Sequence, residues 1–459
     1  MPNLSGRVAI LGLGRSGEAV VDWALGRPGC VPGDVEVYVE HDTPALRSTA
    51  EGMRARGVGV SLGASDLGGQ APDLIVASPG IAPHRPLMVA ARESGSPVIS
   101  ELELAYLVGR APFIAVTGTN GKTTTTALIA HLLVTAGIDA RPAGNIGQPA
   151  LGVARDVPVD GVVVGECSSF QLALTAEFHP RVAVLLNITP DHIDWHGSFE
   201  RYAADKLRIF ANQGPGDTAV VDVDDPESAS VASTLALGKA LLLRVSVCDG
   251  GEARVEDGEL VVDTGSGPQR LVRPDELQIR GAHNVSNALS AAAAALAFGA
   301  HIDAVREGLR TFAPIEHRLE PVATVGGVLF VNDSKATNPD AVLKALTAFD
   351  ERPLIVMLGG RNKGNDFDGL ARACKRQARL CVLYGEARGE LVASFERVGA
   401  AFRIADGMLD ALAEAAGLAR EGDVVLLSPA CASFDEFADF QDRGRRFAAA
   451  VGAIAGGPR

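Results

Sequence analysis

Residues 116–123 read Val-Thr-Gly-Thr-Asn-Gly-Lys-Thr, and this stretch constrains the chain more than any other. An apolar strand, Phe113-Ile-Ala-Val116, runs into a tight glycine turn and then into a helix-compatible run from Thr123 to Ala136. Such a turn aims backbone N–H groups and a helix N-terminus at one point, which makes a cradle for phosphate. Lys122 supplies charge for the β- and γ-phosphates, and the Thr123 hydroxyl is placed to ligate Mg²⁺. The standard form G-x-x-x-x-G-K-[ST] has Gly where this chain has Val116, so Gly118-x-x-Gly121-Lys122-Thr123 is what remains. An ordinary glycine-rich βα turn would have no need of a Lys-Thr pair at the helix start.

A chain of 459 residues is too long for one core and suggests about three domains. The 42 basic against 56 acidic residues give a net charge of −14, which argues against a general nucleic-acid surface. Small phosphorylated ligands need only a few local donors and stay allowed. The 6 cysteines (Cys30, Cys167, Cys248, Cys374, Cys381, Cys431) form no C-x-x-C pair, which fits reduced thiols and a cytoplasmic setting. Val8–Leu11 is broken at once by Gly12 and Gly14, so it reads as a buried strand and not as a targeting segment. The longest apolar run, Ala288–Ala300, is interrupted by Ser290 and falls short of a membrane span.

Three α/β blocks follow. The first opens with Arg7-Val-Ala-Ile-Leu-Gly12-Leu-Gly14-Arg-Ser-Gly17, a strand, a G-x-G-x-x-G turn and a helix. Strand Val35–Val39 ends in Glu40-His41-Asp42, roughly 23–25 residues past the last glycine, where a Rossmann reading wants an acid. Strand Leu74–Ala77 leads to Ser78-Pro79-Gly80-Ile81. This block alone leaves open whether the ligand is NAD or another nucleotide. Gly17 could also serve only close helix–strand packing.

The second block starts near Ala111 with the phosphate loop. Strand Gly161–Val164 leads to Glu166-Cys-Ser-Ser-Phe-Gln171, and strand Val182–Leu186 leads to Asn187-Ile-Thr-Pro-Asp191-His192. Polar groups just past the C-terminal ends of strands are where open parallel sheets bind ligands. Turn signals over residues 249–275 predict a β-hairpin excursion, and Gly281-Ala-His-Asn284-Val-Ser-Asn287 starts an Ala-rich helix. In the third block, strands Val328–Val331, Leu354–Leu358 and Val424–Leu427 each run into a polar loop, ending near Lys335, Lys363 and Ser433. A second sheet with its own ligand edge is expected.

Glu166 and His192 could join Thr123 as metal ligands beside a triphosphate. Glu166 could instead be a helix N-terminal acid, and His192 a turn residue held by Asp191 or Asp194. His192 and His196 have i,i+4 spacing, but Pro190 and Gly197 bracket a loop, so a zinc-binding helix is a poor reading. Asp333 and Lys335 are expected on an extended segment, hence on one side, facing one ligand or forming a surface pair.

Taken together, Gly118-Thr-Asn-Gly-Lys-Thr123, Glu166-x-Ser-Ser-Phe-Gln171, Asn187-x-x-x-Asp-His192, Lys206-x-x-Ile209-Phe210, His283-Asn284-x-x-Asn287, His317-Arg318, Asn332-Asp-Ser-Lys-Ala-Thr-Asn338 and Ser428-Pro-Ala-Cys-Ala-Ser433-Phe434 resemble the Mur ligases in order and spacing, over essentially the whole chain. Ser78-Pro-Gly-Ile81 and the Ser428 motif are most similar to members that add D-glutamate; relatives taking L-glutamate, or folylpolyglutamate-type ligases, are the alternatives. The resemblance implies an α/β fold of three domains. These are a Rossmann-like UDP-substrate domain (1–106), a central P-loop-type ATPase domain with a mostly parallel sheet (107–314) and a C-terminal Rossmann-like amino-acid domain (315–459).

It also implies an ATP-dependent, ADP-forming amide ligation in peptidoglycan synthesis, acting on UDP-MurNAc-L-Ala and glutamate with two Mg²⁺. ATP is expected at Gly118, Thr119, Asn120, Gly121, Lys122, Thr123, Thr124, Asn284, Asn287, Arg318 and Asp333. The UDP-substrate is expected at Arg15, Ser16, Ser78, Pro79, Gly80, Asn145 and His192, with the uridine contact among Glu40, His41 and Asp42 left open. Glutamate is expected at Lys335, Thr337, Lys363, Ser433 and Phe434. Metal ligands are expected to be Thr123, Glu166, His192 and Lys206, the last only as a carbamate, because an ammonium cannot coordinate Mg²⁺. Lys122, His192, Lys206 and Lys335 are the expected catalytic residues, a hinge is expected near Phe312–Glu316, and the chain is expected to act as a monomer free of membrane and nucleic acid.

Overall fold

The computed structural model describes residues 3–456 except 32, 70, 146, 237, 249, 280, 314, 315, 350, 351 and 363. The central strands, such as Val8–Leu11, Leu74–Ala77 and Val182–Leu185, are short apolar runs buried on both faces, as parallel sheets covered by helices require. Five of them, β1 (Val8–Leu11), β2 (Val35–Val39), β3 (Gly59–Leu62), β4 (Leu74–Ala77) and β5 (Val98–Ser100), form a parallel sheet ordered β3-β2-β1-β4-β5. A second sheet holds β6 (Phe113–Thr117), β7 (Ala140–Gly144), β8 (Val162–Glu166), β9 (Val182–Leu185), β10 (Thr218–Asp222) and β11 (Leu241–Ser246). It continues with β12 (Ala253–Glu256), β13 (Glu259–Val262) and β14 (Gln269–Arg270), in the order β14-β13-β12-β11-β10-β9-β6-β8-β7. Only the β12–β14 excursion is antiparallel, as the turn signals predict.

The third sheet contains β15 (Glu320–Val325), β16 (Val328–Asn332), β17 (Leu354–Gly359), β18 (Ala378–Tyr384), β19 (Phe402–Ile404) and β20 (Val424–Ala430), ordered β15-β16-β20-β17-β18-β19. Its β15–β16 edge is antiparallel and bulged at Pro321/Ala323; the rest is parallel. The fold class is therefore the mostly parallel α/β architecture that the motifs predict.

Packing divides the chain into two compact units: Met1–Glu276 with Ser286–Thr311, and Leu277–Val285 with Phe312–Arg459. The first two sheets belong to one unit because they share one apolar core. Helix Glu101–Val108 joins them, and its Tyr106 packs edge-on against Phe113 and Phe178, with ring centroids 6.3 and 5.8 Å away. Buried Glu103 ties the same junction by accepting from the Glu177 and Phe178 N–H groups at 2.7 and 3.0 Å. The expected boundary at 106/107 lies inside this helix, and Pro314 and Ile315, at the centre of the expected hinge, lie outside the described residues.

Gly17 is where the first β-α turn tolerates least. A methyl group there would fall inside van der Waals contact of the Gly12 carbonyl oxygen, a backbone atom that cannot swing away. Gly17→Ala should therefore destabilise the first unit by about 1–3 kcal/mol, read as a lowered urea midpoint at unchanged slope. A midpoint equal to wild type would show that the helix can shift freely.

Candidate functional site

The first sheet reverses direction between β1 and β4, and the loops after these strands border a cleft of about 620 Å³. Switch points of this kind are where open α/β sheets hold ligands. Gly12, Gly14, Arg15 and Ser16 line it from the β1 side, and Ser78, Pro79 and Gly80 from the β4 side. Gly12 has φ +95°, and a Cβ there would lie 2.7 Å from the Ser78 hydroxyl, so glycine is needed for the two loops to approach. Arg15 also donates to the Gly147 carbonyl at 3.2 Å.

Glu40 and His41 line the cleft, whereas Asp42 faces Arg47, pairing with it at 2.7 Å. Glu40 is itself held by Arg85 at 2.7 Å, with the Leu87 N–H 3.4 Å away. An acid already tied to a guanidinium is a weaker ribose acceptor than the Rossmann reading supposes. His41 and Arg85 are thus cleft residues; Arg85 carried no motif and escaped the sequence reading.

The phosphate loop sits at the switch point of the second sheet, between β6 and β9. Gly121 caps helix Lys122–Thr135 with φ +87°, and a Cβ there would lie 2.5 Å from Asn287 Oδ1. Asn187 braces the loop in both directions: its Oδ1 accepts from the Asn120 N–H at 2.9 Å and its Nδ2 donates to the Asn120 carbonyl at 3.1 Å. The Thr119 hydroxyl lies 2.9 Å from the Tyr202 hydroxyl and accepts from the Thr189 N–H at 2.9 Å. Thr123 and Thr124 are buried in the first helical turn, and Thr125 donates to Asn287 Oδ1 at 3.3 Å. Backbone groups, amides and hydroxyls together brace this cradle.

Two lysines converge on it. Lys122 Nζ donates to the Gly118 and Thr119 carbonyls at 2.9 Å each, and buried Lys206 Nζ donates to the same Gly118 carbonyl at 2.9 Å. Lys206 also lies over the Tyr202 ring, 4.5 Å from its centroid. Burial, reinforced by the Lys122 charge, holds the Lys206 ammonium well below the usual lysine range.

Glu166 is the last residue of β8 and precedes the helix Ser169–Leu172, whose cap is Ser168; the helix N-terminal alternative is thereby corrected. Its Oε1 accepts from Asn145 Nδ2 at 2.9 Å, which places Asn145 beside Glu166. His192 sits in the left-handed region at φ 51°, its N–H donating to Asp191 Oδ1 at 2.9 Å and its ring set edge-on to Phe170 at 4.8 Å. His196 is buried between Asp205, 2.8 Å from Nδ1, and Ser169, 3.0 Å from Nε2. Its role is to hold loops. Among the described residues no three His, Cys, Asp or Glu side chains gather as a metal cluster. Glu166 and Thr123 still offer the one or two hard oxygen donors that suffice when phosphate oxygens complete a Mg²⁺ shell.

In the second unit, buried Asp333 follows β16 and accepts from the Ser428 hydroxyl at 2.7 Å, at the end of β20. Burial pushes its carboxyl up to about 7, against the Ser428 hydrogen bond and the Arg318 charge. Residues 334–335 form a turn, with the Ala336 N–H donating to the Asp333 carbonyl at 2.9 Å, so the expected extended arrangement of Asp333 and Lys335 is corrected. Lys335 Nζ instead lies 5.5 Å from the centroid of the Phe440 ring. Thr337 is half-buried in the same loop, Ser433 is buried, and Phe434 is 61% exposed, an apolar ring left in solvent beside it. His317, strained at φ 64°, is 2.9 Å from Asn332 Nδ2 through Nδ1. Asn284 is buried near the start of helix Ala282–Phe298, close in sequence to His283, which burial and then Arg318 push down to about 4. Lys363 lies outside the described residues.

Residues 116–295 match the Mur ligase middle domain, and residues 317–431 match the Mur ligase glutamate ligase domain. The chain is 44% identical over 446 residues to the UDP-N-acetylmuramoylalanine–D-glutamate ligase of Pelotomaculum thermopropionicum, covering 96% of both chains. It is 40% identical to the same-named ligase of Geobacillus kaustophilus, covering 97% of both. Among solved structures, the UDP-N-acetylmuramate-alanine ligase MurC of Thermotoga maritima is similar in fold, with TM-score 0.61 at 21% identity over 98% of this chain and 99% of that one. E. coli FolC shares the fold at TM-score 0.56 and 20% identity, over 77% of this chain and 92% of its own. With both family domains matched and relatives aligned nearly end to end, the chain belongs to the Mur ligase family.

Proposed function

We propose that this protein joins D-glutamate to UDP-N-acetylmuramoyl-L-alanine at the expense of ATP, releasing ADP and phosphate, in peptidoglycan precursor synthesis. The observation that carries the reading is the end-to-end likeness, at 44% identity, to a ligase named for this reaction, with Gly118, Gly121, Lys122 and Thr123 of the phosphate loop present. A carboxylate is a poor electrophile until it gains a leaving group. Its oxygen therefore takes the γ-phosphoryl group and ADP departs; the glutamate amine then attacks the acyl carbon, loses a proton, and phosphate departs as the amide forms. Such transfer between anions asks for positioned cations more than covalent help.

The chain's own residues meet those needs as follows. The N–H groups from Gly118 to Thr124 and the Lys122 ammonium would hold the phosphates, with Asn287 beside them; Asn284, Arg318 and Asp333 are further nucleotide contacts. Arg15, Ser16, Ser78, Pro79 and Gly80 would seat the UDP moiety, with Asn145 and His192 toward the reacting carboxylate. Lys335, Thr337, Lys363, Ser433 and Phe434 would receive glutamate. Thr123, Glu166, His192 and Lys206 would hold Mg²⁺ at two sites, where the metal would neutralise phosphate charge. Depressed basicity favours the neutral Lys206 amine, whose nitrogen lone pair would bond to the CO₂ carbon and release a proton to solvent, leaving an anionic carbamate ligand. The proposed domains are 1–106, 107–314 and 315–459, in a cytoplasmic monomer; among the described residues no helix is long and apolar enough to cross a membrane.

Phosphate release from ATP with UDP-MurNAc-L-Ala, compared between D-glutamate, L-glutamate and no amino acid, tests the reading. Release should depend on D-glutamate and should fall in CO₂-depleted buffer until bicarbonate is restored. Dependence on L-glutamate would change the substrate, and no release with either would sink the reaction.

A further inference from the structure

The third sheet has its own switch point. From β17 the chain winds outward through β18 and β19, then returns to insert β20 between β17 and β16. The crevice outside the C-terminal ends of β17 and β20 is therefore the ligand edge that topology alone selects. Gly359-Gly360 border it after β17, and Cys431–Phe434 after β20. A two-bond bridge clips these loops together: the Arg361 N–H donates to the Ala432 carbonyl at 2.8 Å, and the Ala432 N–H donates back at 3.0 Å. Gly360 adopts φ +125°, and a Cβ there would lie 3.2 Å from the guanidinium Nη1 of Arg443.

Arg443 belongs to the C-terminal helix Phe440–Gly456 and is 0% exposed. Nε donates to the Ser334 hydroxyl at 2.9 Å, Nη2 to the Ser334 carbonyl at 2.8 Å, and Nη1 and Nη2 each to the Cys431 carbonyl at 3.2 Å. The three acceptor atoms of these four bonds are all neutral. The acids nearby make their hydrogen bonds to other groups, Asp333 to Ser428, Asp435 to the Glu386 N–H at 3.1 Å and Glu436 to the Met408 N–H at 3.1 Å, and the Arg443 charge acts on Asp333 and Glu436 through space without a direct bond. Among the described residues Arg443 has no ion pair within 4 Å, and a buried cation in that position costs free energy that an apolar side chain of similar size would not. Its positive potential acts through the low-dielectric interior, where charges interact more strongly than in water.

We infer that Arg443 is a specificity-determining positioning residue for the amino-acid substrate. Its buried charge makes the crevice favour an anionic side chain, and its four bonds fix the loops that carry Lys335, Thr337, Ser433 and Phe434. This deepens the ligase reading and rests on it.

The test measures KM for D-glutamate, ATP and UDP-MurNAc-L-Ala in wild type, Arg443→Gln and Arg443→Lys, with thermal melts to confirm folding. Arg443→Gln should raise the KM for D-glutamate about tenfold or more while the other two stay within about twofold. Arg443→Lys, which keeps the charge, should recover most of that loss. A rise of all three KM values together, or no rise, would overturn the inference while leaving the ligase standing. If wild type shows no D-glutamate-dependent phosphate release, both fall. Should Arg443→Gln not fold, Ser334→Asp sets a carboxylate against Nε with the guanidinium retained, and the same selective rise in KM is expected.

Discussion

Replacing Lys122 with alanine should lower the rate of phosphate release by about 10²–10³-fold, with little change in the KM for the UDP-substrate and no loss of thermal stability. The separation follows from how the loop is held. Its shape depends on the paired Asn187–Asn120 bonds, the Thr119–Thr189–Tyr202 contacts and the fit of Gly121 against Asn287. The Lys122 ammonium donates to the carbonyls of Gly118 and Thr119, four and three residues before it. Removing its side chain therefore takes a cation from the cradle and leaves the cradle standing. The variant also ends the crowding of two amines on the Gly118 carbonyl, so any change in melting temperature should be upward. Arginine should not rescue, because its planar fork needs a wider site than the compact ammonium. Activity within tenfold of wild type would mean that the backbone N–H groups carry the phosphate charge alone.

Most strands that end in chemistry were legible because they are short apolar runs bounded by glycine or proline; β1, β2, β4, β6 and β9 fall within a residue or so of the reading. Strands lacking that contrast were harder. Gly59–Leu62 is only partly buried, and Ala140–Gly144 carries Arg141 and Pro142 on an edge that needs no apolar face. The two glycine turns were readable because glycine patterns report backbone conformations that other residues resist. What escaped was tertiary. Nothing local marks Arg85 as lining a cleft, Asn187 as a brace, or Arg443 as a buried cation, since each acts on a segment far away in sequence. Asp333 and Lys335 were misplaced for a related reason: the pattern gives their spacing, but the turn at 334–335 is set by contacts of Ser334 with Asn332, Phe440 and Arg443.

The largest stability effect should come from a residue outside every motif. Glu101 lies in the first turn of the helix that joins the two sheets of the first unit, and it is 2% exposed. Oε1 accepts from the Leu151 N–H at 2.5 Å, while Oε2 has no hydrogen-bond partner among the described residues. Burial pushes this carboxyl up to about 7 from an ordinary 4.5, with the Leu151 N–H opposing it only in part. Between those two values the folded protein keeps a proton that the unfolded chain has released. Stability therefore falls as pH rises from about 4.5 through 7, and the whole cost stands above that window. Glu101→Gln is neutral at every pH and cannot pay it. Relative to wild type, the variant should gain about 2–3 kcal/mol between pH 5 and pH 8, measured from urea midpoints of both proteins at both pH values. Whatever the new amide N–H costs in that pocket, it costs equally at the two pH values and cancels from the comparison. Asp222, pushed up to about 6, and Asp333, pushed up to about 7, act in the same direction in both proteins and cancel as well. An unchanged difference between the midpoints would mean that Glu101 is ionised in the core at both pH values, with water or a cation reaching Oε2.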